Sequence, residues 1–388
     1  MQEDNFETIA IRLQAERSQY KEHSVPLYLT SSYKFDDAEE MRALFANEKE
    51  GNVYSRYANP NTDELIDKMA KLEGAESGWA TSSGMAAIFT TFLTFLQSGD
   101  HVLSSRSVFG STHQLLNNIF PKWGISYSYA DLDKLEQWEQ GIKPNTKMIF
   151  VETPSNPGID IIDLEWLGAL AKKHNILLVV DNCFATPYLQ QPIKLGADIS
   201  IHSATKFIDG QGRTLGGIIL GSNKLMKDIE GFARHSGPAM SPFNAWLLSK
   251  SLETLAVRMD RHCDNALKVA EFLASNDKIK KVMYPFLPSH PQYEIAKKQM
   301  KQGGGIVTFV IEGGVAAAST FMDKLTMFSI SANLGDTRSI ATHPATSTHS
   351  KLTEAERLEV GIEQGSIRLS IGLEHINDIL ADIKQALG

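Results

Sequence analysis

The segment ILLVVDNCFATP, from Ile176 to Pro187, places an aspartate directly after five consecutive apolar residues. An apolar run without alternation is typical of a strand that is covered on both faces. Asp181 is then expected at the carboxyl end of this strand, which is the edge of an open α/β sheet where ligands bind. A carboxylate there needs a cation or a hydrogen-bond donor, although a simple turn-capping aspartate is an alternative explanation.

The alternation of apolar runs and helical patterns extends over about residues 62–225. Amphipathic helices are predicted in DELIDKMAKLEG and DLEWLGALAKKH, where leucine and methionine recur at helical spacing. Strands that alternate with helices require crossover connections and a mainly parallel sheet. The sequence therefore predicts an α/β fold, with strands in GWATSS, HVLSS, ISYSY, KMIFVE, ILLVV, DISIHS and GGIIL.

The length of 388 residues predicts more than one domain. Residues 1–60 are polar and are expected to form an N-terminal arm, followed by a large domain over 61–250. Helical periodicity over about 242–275 predicts one connecting helix. The remainder, including GGGIVTFVIEGG and SIRLSIG, is expected to form a smaller α+β domain over 251–388.

Composition limits the possible partners and compartment. A formal net charge of −8 and the lack of a basic cluster argue against nucleic-acid binding. The two cysteines, Cys183 and Cys263, are too few for a disulfide framework or a metal site. The sequence lacks a signal-peptide pattern and any apolar run of roughly 18 residues, so we expect a cytoplasmic protein with no membrane partner.

Two further segments bring chemistry to the same predicted edge. TSSGMAA, residues 81–87, leaves a strand and opens a helix, which is either an anion site or a plain helix cap. ADISIHSATK places Lys206 after another strand, with Ser203 and Thr205 beside it. Pyridoxal 5′-phosphate uses such a set: a phosphate cradle, a lysine that forms a Schiff base and an acid that holds the ring nitrogen protonated.

Ordered motifs across more than 300 residues carry a resemblance to a known family. They are VYSRYANPNTDEL, SSGMAA, ETPSNP, DNCFATP, SATKF, NLGDTRSI, HPATSTH and IRLSIGLE. The chain resembles the cystathionine γ-synthase-like pyridoxal-phosphate enzymes of cysteine and methionine metabolism. The resemblance implies a fold type I transferase that works as a homo-oligomer, usually a tetramer built from dimers that share active sites.

The resemblance also implies roles for individual residues. Lys206 matches the Schiff-base lysine, Asp181 the partner of the pyridine nitrogen, and Arg368 the clamp for the substrate α-carboxylate. Tyr54 and Arg56 match a pair that reaches the phosphate of a neighbouring subunit. The other matches are the phosphate-binding residues Ser83, Gly84, Met85, Ser203 and Thr205, the ring-stacking position Phe109, Asn156 near the ring oxygen, and Asn333 beside the substrate.

Departures from the common family pattern indicate the reaction. Phe109 stands where tyrosine is common, and it cannot protonate a poor thiolate leaving group, as a γ-lyase needs. Ser111 replaces a reactive cysteine that is frequent in methionine γ-lyases. Gln211 in DGQGR resembles the O-succinylhomoserine sulfhydrylases, and Asn333 in ANLGDTRSI, where lyases and γ-synthases usually carry serine, resembles the sulfhydrylase branches of the family. The predicted reaction converts O-succinyl-L-homoserine and hydrogen sulfide to L-homocysteine and succinate in methionine biosynthesis.

Alternatives remain open at this stage. Cystathionine γ-synthase and O-acetylhomoserine sulfhydrylase activity are the nearest, and methionine γ-lyase activity is less favoured. Arg213 could hold the succinyl carboxylate or serve only structure, and His343 and His349 could line a loop or the substrate's path. A nicotinamide dehydrogenase, a serine hydrolase and a metal enzyme are disfavoured, because their motifs and ligand spacings are missing.

Overall fold

The computed structural model describes residues 4–350 and 353–388. The α-helices in this part of the chain are α1 (Phe6–Arg12), α2 (Ala38–Phe45), α3 (Pro60–Glu73), α4 (Gly84–Phe95), α5 (Gly110–Gln114), α6 (Leu135–Gly141), α7 (Leu164–Lys173), α8 (Thr186–Leu189), α9 (Asn223–Ser236), α10 (Pro242–Leu252), α11 (Leu255–Ala274), α12 (Tyr293–Gln299), α13 (Gly314–Lys324), α14 (Glu354–Glu359) and α15 (Ile376–Leu387). A π-helical turn covers Leu115–Ile119, and 3-10 turns cover Phe120–Trp123, Pro192–Leu195 and Pro344–Thr346.

The strands form two sheets. They are β1 (Ser77–Thr81), β2 (His101–Ser105), β3 (Ser126–Ala130), β4 (Thr146–Glu152), β5 (Leu177–Asp181), β6 (Ile199–Ser203), β7 (Gly217–Gly221), β8 (Ile279–Met283), β9 (Ile306–Ile311), β10 (Ser329–Ile330), β11 (Ile340–Thr342) and β12 (Ser366–Ser370). The first seven form one sheet in the order β1-β7-β6-β5-β4-β2-β3, and the last five form a second sheet in the order β10-β11-β12-β9-β8.

The large sheet confirms the predicted α/β architecture. Strands β6, β5, β4, β2 and β3 pair in parallel, and only β7 runs the other way, antiparallel to both β6 and β1. Each of the seven predicted apolar runs overlaps one of these strands, with bounds that differ by at most two residues. The carboxyl ends of β1, β2, β4, β5 and β6 therefore lie at the same edge of the sheet.

Strand β4 explains why the apolar runs do not alternate with polar residues. Met148 and Phe150 pack into one hydrophobic cluster with helix α4, while Ile149 and Val151 pack into another with helix α7. All four side chains are fully buried. The sheet is thus covered on both faces, as continuous apolar strands require.

The second sheet belongs to the C-terminal part of the chain. Strand β12 lies between β11 and β9 and is antiparallel to both. Its middle residue, Arg368, faces Thr308 on one side and Thr342 on the other in the register of the sheet. The short β10 covers only two residues of the predicted strand in MFSISANLG.

The prediction of one connecting helix over residues 242–275 was wrong. The chain forms α10 and α11 with a break at Glu253 and Thr254, where Thr254 leaves the helical conformation. The carbonyl of Ser251 accepts hydrogen bonds from the backbone and hydroxyl of Thr254 and from Arg258 Nη2. These contacts stop the helix, and apolar periodicity carries no signal for them.

The N-terminal segment has two short helices and little other regular structure. Helix α1 packs on the rest of the chain through Ala10, which is buried, and Phe6, whose ring lies 5.1 Å from that of Tyr188. The domain limits at residues 60 and 250 stay predictions. No helix within residues 4–350 and 353–388 combines the length and apolar character that a bilayer crossing requires.

Candidate active site

The turn after β1 forms the start of helix α4. The Ser83 hydroxyl caps this helix by accepting a hydrogen bond from the backbone of Ala86 over 3.1 Å. Gly84 lies against Ser203 at the end of β6, so closely that a Cβ at position 84 would lie 2.7 Å from the Ser203 Cβ. A helix N-terminus that presents free N–H groups beside a serine is suited to bind phosphate.

The other predicted phosphate residues lie around this turn. Met85 follows Gly84 in the first turn of α4, with its sulfur 4.0 Å from the Thr112 hydroxyl. The Thr205 hydroxyl accepts a hydrogen bond from the backbone of Gly216 over 3.1 Å. Together with Ser82, Thr205 lines a polar cavity of about 420 Å³ that also reaches Asn333.

Two buried carboxylates lie side by side at the ends of β4 and β5. Glu152 and Asp181 are partners in the parallel register. The backbone of Cys183 donates to Asp181 Oδ1 over 3.0 Å. Burial raises the pKa of both carboxyl groups, and the charge of Asp181 raises that of Glu152 further. A cationic ligand atom next to Asp181 would offset this cost of burial.

Glu152 is a site residue that the sequence analysis missed. Its Oε2 accepts a hydrogen bond of 2.7 Å from the backbone N–H of Phe109 and so fixes the loop after β2. The signal was available, because Glu152 follows the apolar run KMIFV in the same way that Asp181 follows ILLVV.

Lys206, Asn333, Arg368 and Asn156 form one hydrogen-bonded chain. Lys206 Nζ donates to Asn333 Oδ1 over 2.6 Å. Arg368 donates from Nη2 to the Asn333 carbonyl over 3.1 Å and from Nη1 to Asn156 Oδ1 over 2.9 Å. The structure thus joins residues from the large sheet edge to residues from the second sheet.

Burial changes the pKa values of the two cationic residues in this hydrogen-bonded set, Lys206 and Arg368. It lowers the pKa of Lys206, and the nearby positive charge of Arg368 lowers it further. Burial also lowers the pKa of Arg368 to about 10, which leaves the guanidinium charged at neutral pH. Arg368 Nε is buried without a hydrogen-bond partner among the described residues, so this N–H is free for an anionic ligand.

A glycine allows the Asn333 loop to approach Lys206. Gly335 has a φ of +75°, and a Cβ there would lie 2.5 Å from the backbone nitrogen of Phe207. Nearby, Thr337 donates to the Gly210 carbonyl over 2.8 Å and Arg338 to the Gln211 carbonyl over 3.1 Å. The DGQGR and NLGDTR segments are therefore in direct contact.

A cavity of about 290 Å³ opens next to Lys206. Phe109 lines it with its side chain partly exposed, so its ring is accessible from the cavity. The lining comprises Arg106, Ser107, Val108, Phe109, Gly110, Ser111, His113, Gln114, Asn156, Lys206, Ala332, Thr348, His349 and Val360.

Tyr54 and Arg56 lie elsewhere in this chain. Tyr54 is part of an isolated bridge with Ser32, and the Arg56 guanidinium donates to the Arg234 carbonyl. Arg56 also lies over the ring of Tyr57, 4.8 Å from its centroid. Neither residue lines the cavity at Lys206, and their predicted role in a neighbouring subunit stays a prediction.

The three residues left open by the sequence have defined contacts. Arg213 donates from Nε to Asp209 Oδ1 over 3.0 Å and from Nη2 to the Ser251 hydroxyl over 2.5 Å, which favours its structural role. His343 bonds to the Thr346 hydroxyl and the Gln364 carbonyl, each over 2.8 Å. His349 lines the Lys206 cavity, and burial lowers its pKa to about 4.

Comparisons with known proteins give the family. A sequence model described as "Cys/Met metabolism PLP-dependent enzyme" matches residues 7–388. The chain belongs to this family. Pyridoxal 5′-phosphate is therefore its cofactor, and its fold is that of the fold type I enzymes, as predicted.

Individual members of the family are similar over almost the whole chain. An O-succinylhomoserine sulfhydrylase of Pseudomonas aeruginosa is 48% identical over 98% of this chain and 95% of its own. An L-methionine gamma-lyase of Fusobacterium nucleatum is 41% identical over 100% of this chain and 99% of its own. A solved structure from Campylobacter jejuni is 37% identical and has a TM-score of 0.96, over 99% of this chain and 100% of that chain.

The residues present fit the cofactor of this family. The Campylobacter jejuni structure carries N'-pyridoxyl-lysine-5'-monophosphate, a lysine joined to the cofactor. In the present chain the close approach of Gly84 to Ser203 leaves a cradle for a phosphate, and Asp181 is a buried carboxylate that forms no ion pair with a lysine or arginine among the described residues. Lys206 supplies an amine of lowered pKa at the same edge.

Proposed function

We propose that this enzyme catalyses γ-replacement, in which sulfide displaces succinate from O-succinyl-L-homoserine and L-homocysteine is formed. The proposal places the cofactor on Lys206, with Ser83, Gly84, Met85, Ser203 and Thr205 at its phosphate. Asp181 would hold its ring nitrogen, and Asn156 and Phe109 its ring. Arg368 and Asn333 would bind the substrate.

The single observation that carries the proposal is that the described lining of the Lys206 cavity contains no carboxylic acid and no tyrosine. Among the lining residues, His113 and His349 are the titratable groups other than Lys206 and Arg106, and burial lowers the pKa of both. A neutral imidazole cannot supply the proton that a thiolate leaving group needs. A carboxylate leaves without protonation, so the cavity favours an acyl ester over a thioether.

Arg368 gives the site its means of binding an amino acid. Its two terminal nitrogens are occupied by Asn156 and the Asn333 carbonyl, which hold the guanidinium in one orientation. The unpartnered Nε is left for the α-carboxylate of the substrate. A charge-assisted hydrogen bond in a buried position orients the substrate strongly.

Lys206 is the residue that moves protons. Bound pyridoxal phosphate supplies an electron sink, which allows protons to leave the α and β carbons of the substrate. The lowered pKa of Lys206 makes its free amine available as a base, and Asn333 Oδ1 stabilises the ammonium once a proton is taken. The same Nζ then returns the proton to the product.

The overall reaction balances without a further reactant. The bond between Cγ and the ester oxygen breaks, and the electron pair leaves with succinate. The sulfur of HS⁻ forms the new bond to Cγ, and the thiol of homocysteine keeps the sulfide proton. The protons removed from the substrate carbons are returned to them.

The named relatives support two candidate reactions. The 48% identical protein bears the name O-succinylhomoserine sulfhydrylase, which agrees with the proposal. The 41% identical protein is named L-methionine gamma-lyase, so elimination from methionine is the second candidate. Phe109 and Ser111 are the residues that favour the first over the second.

The proposal includes a homo-oligomer, expected to be a cytoplasmic tetramer. The N-terminal segment exposes large apolar side chains, including Tyr20 at 82% and Leu29 at 70%. A second copy of the chain could cover these side chains and bring Tyr54 and Arg56 to a neighbouring cofactor phosphate.

In the test, the cofactor-loaded enzyme is assayed with three substrates in turn. With sulfide present, O-succinyl-L-homoserine is expected to give homocysteine faster than O-acetyl-L-homoserine does. Methionine alone is expected to give little 2-oxobutanoate. Rapid 2-oxobutanoate release from methionine would contradict the proposal and favour the lyase, and a clear preference for the acetyl ester would favour an O-acetylhomoserine sulfhydrylase.

A further inference from the structure

The cavity at Lys206 has the charge pattern of a site for an anion. Its described lining contains no aspartate or glutamate, and His113 and His349 are neutral because burial lowers their pKa. Arg106 and Lys206 are the positively charged residues in that lining. Because Lys206 is assigned to the cofactor, Arg106 is the cation that remains for a substrate.

One edge of the Arg106 guanidinium is fixed by the protein. Arg106 directly follows the carboxyl end of β2, three residues before Phe109. Its Nε donates to Asp131 Oδ1 over 2.9 Å, and the guanidinium lies over the ring of Tyr129, 5.6 Å from the centroid. An arginine held in this way presents its remaining donors in a defined direction.

The other edge already holds a carboxylate. Arg106 Nη1 donates to Glu359 Oε2 over 3.1 Å, and the side chain of Glu359 is 60% exposed. Glu359 is the last residue of α14, and the next residue, Val360, lines the cavity. An ion pair with such an exposed partner is weak, so a carboxylate from a ligand can replace it.

We infer that Arg106 binds the distal carboxylate of the succinyl group, and that Glu359 takes this place when no substrate is bound. The inference rests on the proposed function and adds the residue that distinguishes succinyl from acetyl esters. Arg213 lines a separate cavity with Thr205 and Asn333, and Asp209 and Ser251 hold its guanidinium. Arg106 lines the Lys206 cavity itself, whereas Arg213 does not.

A purely structural role for Arg106 is the competing explanation, since it joins Asp131 to Glu359. Lys134 provides a matched control for that explanation. Its Nζ also donates to Asp131, over 2.8 Å, but Lys134 does not line the cavity. Replacing either residue with glutamine removes one positive charge from the same carboxylate.

The experiment compares kcat/KM for O-succinyl- and O-acetyl-homoserine with sulfide. In Arg106→Gln the succinyl value is expected to fall by roughly 30- to 100-fold, as for the loss of a charge-assisted pair, and the acetyl value by less than about threefold. Lys134→Gln is expected to change both values by less than about twofold. A change in the succinyl-to-acetyl ratio of less than about tenfold in Arg106→Gln would overturn the inference.

A binding measurement provides a readout that does not depend on turnover. Calorimetry on the loaded enzyme compares succinate with butyrate, which has the same chain length and lacks the second carboxylate. Succinate binding is expected to weaken in Arg106→Gln and to strengthen in Glu359→Gln, whereas butyrate binding stays the same in both. Equal changes for the two acids would overturn the inference.

The outcomes also separate the inference from the proposed function. If the unmodified enzyme prefers the succinyl ester and Arg106→Gln keeps that preference, the inference fails alone. If the unmodified enzyme does not use the succinyl ester, the proposed function fails and the inference fails with it. Should Arg106→Gln not fold, Glu359→Gln decides: a lower KM for the succinyl ester alone supports the inference, and an unchanged KM overturns it.

Discussion

Lys206 donates a hydrogen bond from Nζ to Asn333 Oδ1 over 2.6 Å, and this contact joins the edge of the large sheet to the loop before β11. Asn333 in turn presents its carbonyl to Arg368. The residue assigned to the cofactor and the residue assigned to the α-carboxylate are therefore positioned by the same asparagine. Position 333 is also one of those at which the chain departs from the common family pattern.

The Asn333→Ser variant tests this contact. Serine is too short to reach Nζ, and the loss of a hydrogen bond to a charged group corresponds to about 1.5–3 kcal/mol, or roughly 10- to 100-fold in kcat/KM. Because Asn333 stabilises the ammonium, its loss is expected to lower the pKa of Lys206 and move the acidic limb of the kcat profile to lower pH. The control variant Asn118→Ser, at an exposed position, should leave kcat/KM and the pH profile of kcat unchanged. An unaltered pH profile in Asn333→Ser would contradict this role.

Glu152 is predicted to position Phe109. Glu152→Gln retains a carbonyl oxygen for the Phe109 N–H, whereas Glu152→Ala leaves that N–H without its partner. Burial raises the pKa of Glu152, so the neutral glutamine is a close substitute for the protonated acid. We expect near-normal cofactor affinity in Glu152→Gln and an affinity weaker by about 10-fold or more in Glu152→Ala, measured by absorbance titration with pyridoxal phosphate. If both variants lose affinity equally, the carboxylate itself is required.

The buried His262 is expected to make the protein less stable in acid. It is fully buried, donates from Nδ1 to the Ile371 carbonyl, and burial lowers its pKa from 6.5 to about 4. Below pH 6.5 the unfolded chain binds the proton and the folded chain does not, so stability falls as the pH drops from 6.5 towards 4. In urea unfolding, the free energy of unfolding falls between pH 7 and pH 5 in the unmodified enzyme. In His262→Asn this fall is expected to be smaller by about 2 kcal/mol.

The exposed His235 gives the control for this prediction. His235→Asn should lose as much stability as the unmodified enzyme over the same pH range. An equal loss in His262→Asn would show that His262 does not carry the acid sensitivity attributed to it.

Tyr54 and Arg56 are predicted to contribute to the active site of a neighbouring subunit. In one chain these residues lie away from the Lys206 cavity, so their contact with a cofactor phosphate requires a second subunit. Lys206→Ala and Arg56→Ala are each expected to be nearly inactive. When the two are unfolded and refolded together, mixed dimers should contain one intact site, and about a quarter of the activity should return. If the refolded mixture is no more active than the two variants refolded separately, the shared site is contradicted.

The sequence was sufficient for the large sheet because its strands are continuous apolar runs that end in polar residues. Lys206 and Asp181 could be placed on one edge for the same reason. The break at Thr254 could not be predicted, because it depends on the guanidinium of Arg258, which reaches the Ser251 carbonyl. The contacts of Arg106 with Asp131 and Glu359 could not be predicted from the sequence either, because these partners lie 25 and 253 residues away in the chain.

The central claim is that sulfide is the nucleophile on a succinyl ester. The most direct measurement supplies O-succinyl-L-homoserine to the loaded enzyme with equal concentrations of sulfide and cysteine, and determines both products by mass spectrometry. Our account predicts that homocysteine and stoichiometric succinate dominate. Cystathionine as the main product would contradict it and would identify the enzyme as a cystathionine γ-synthase.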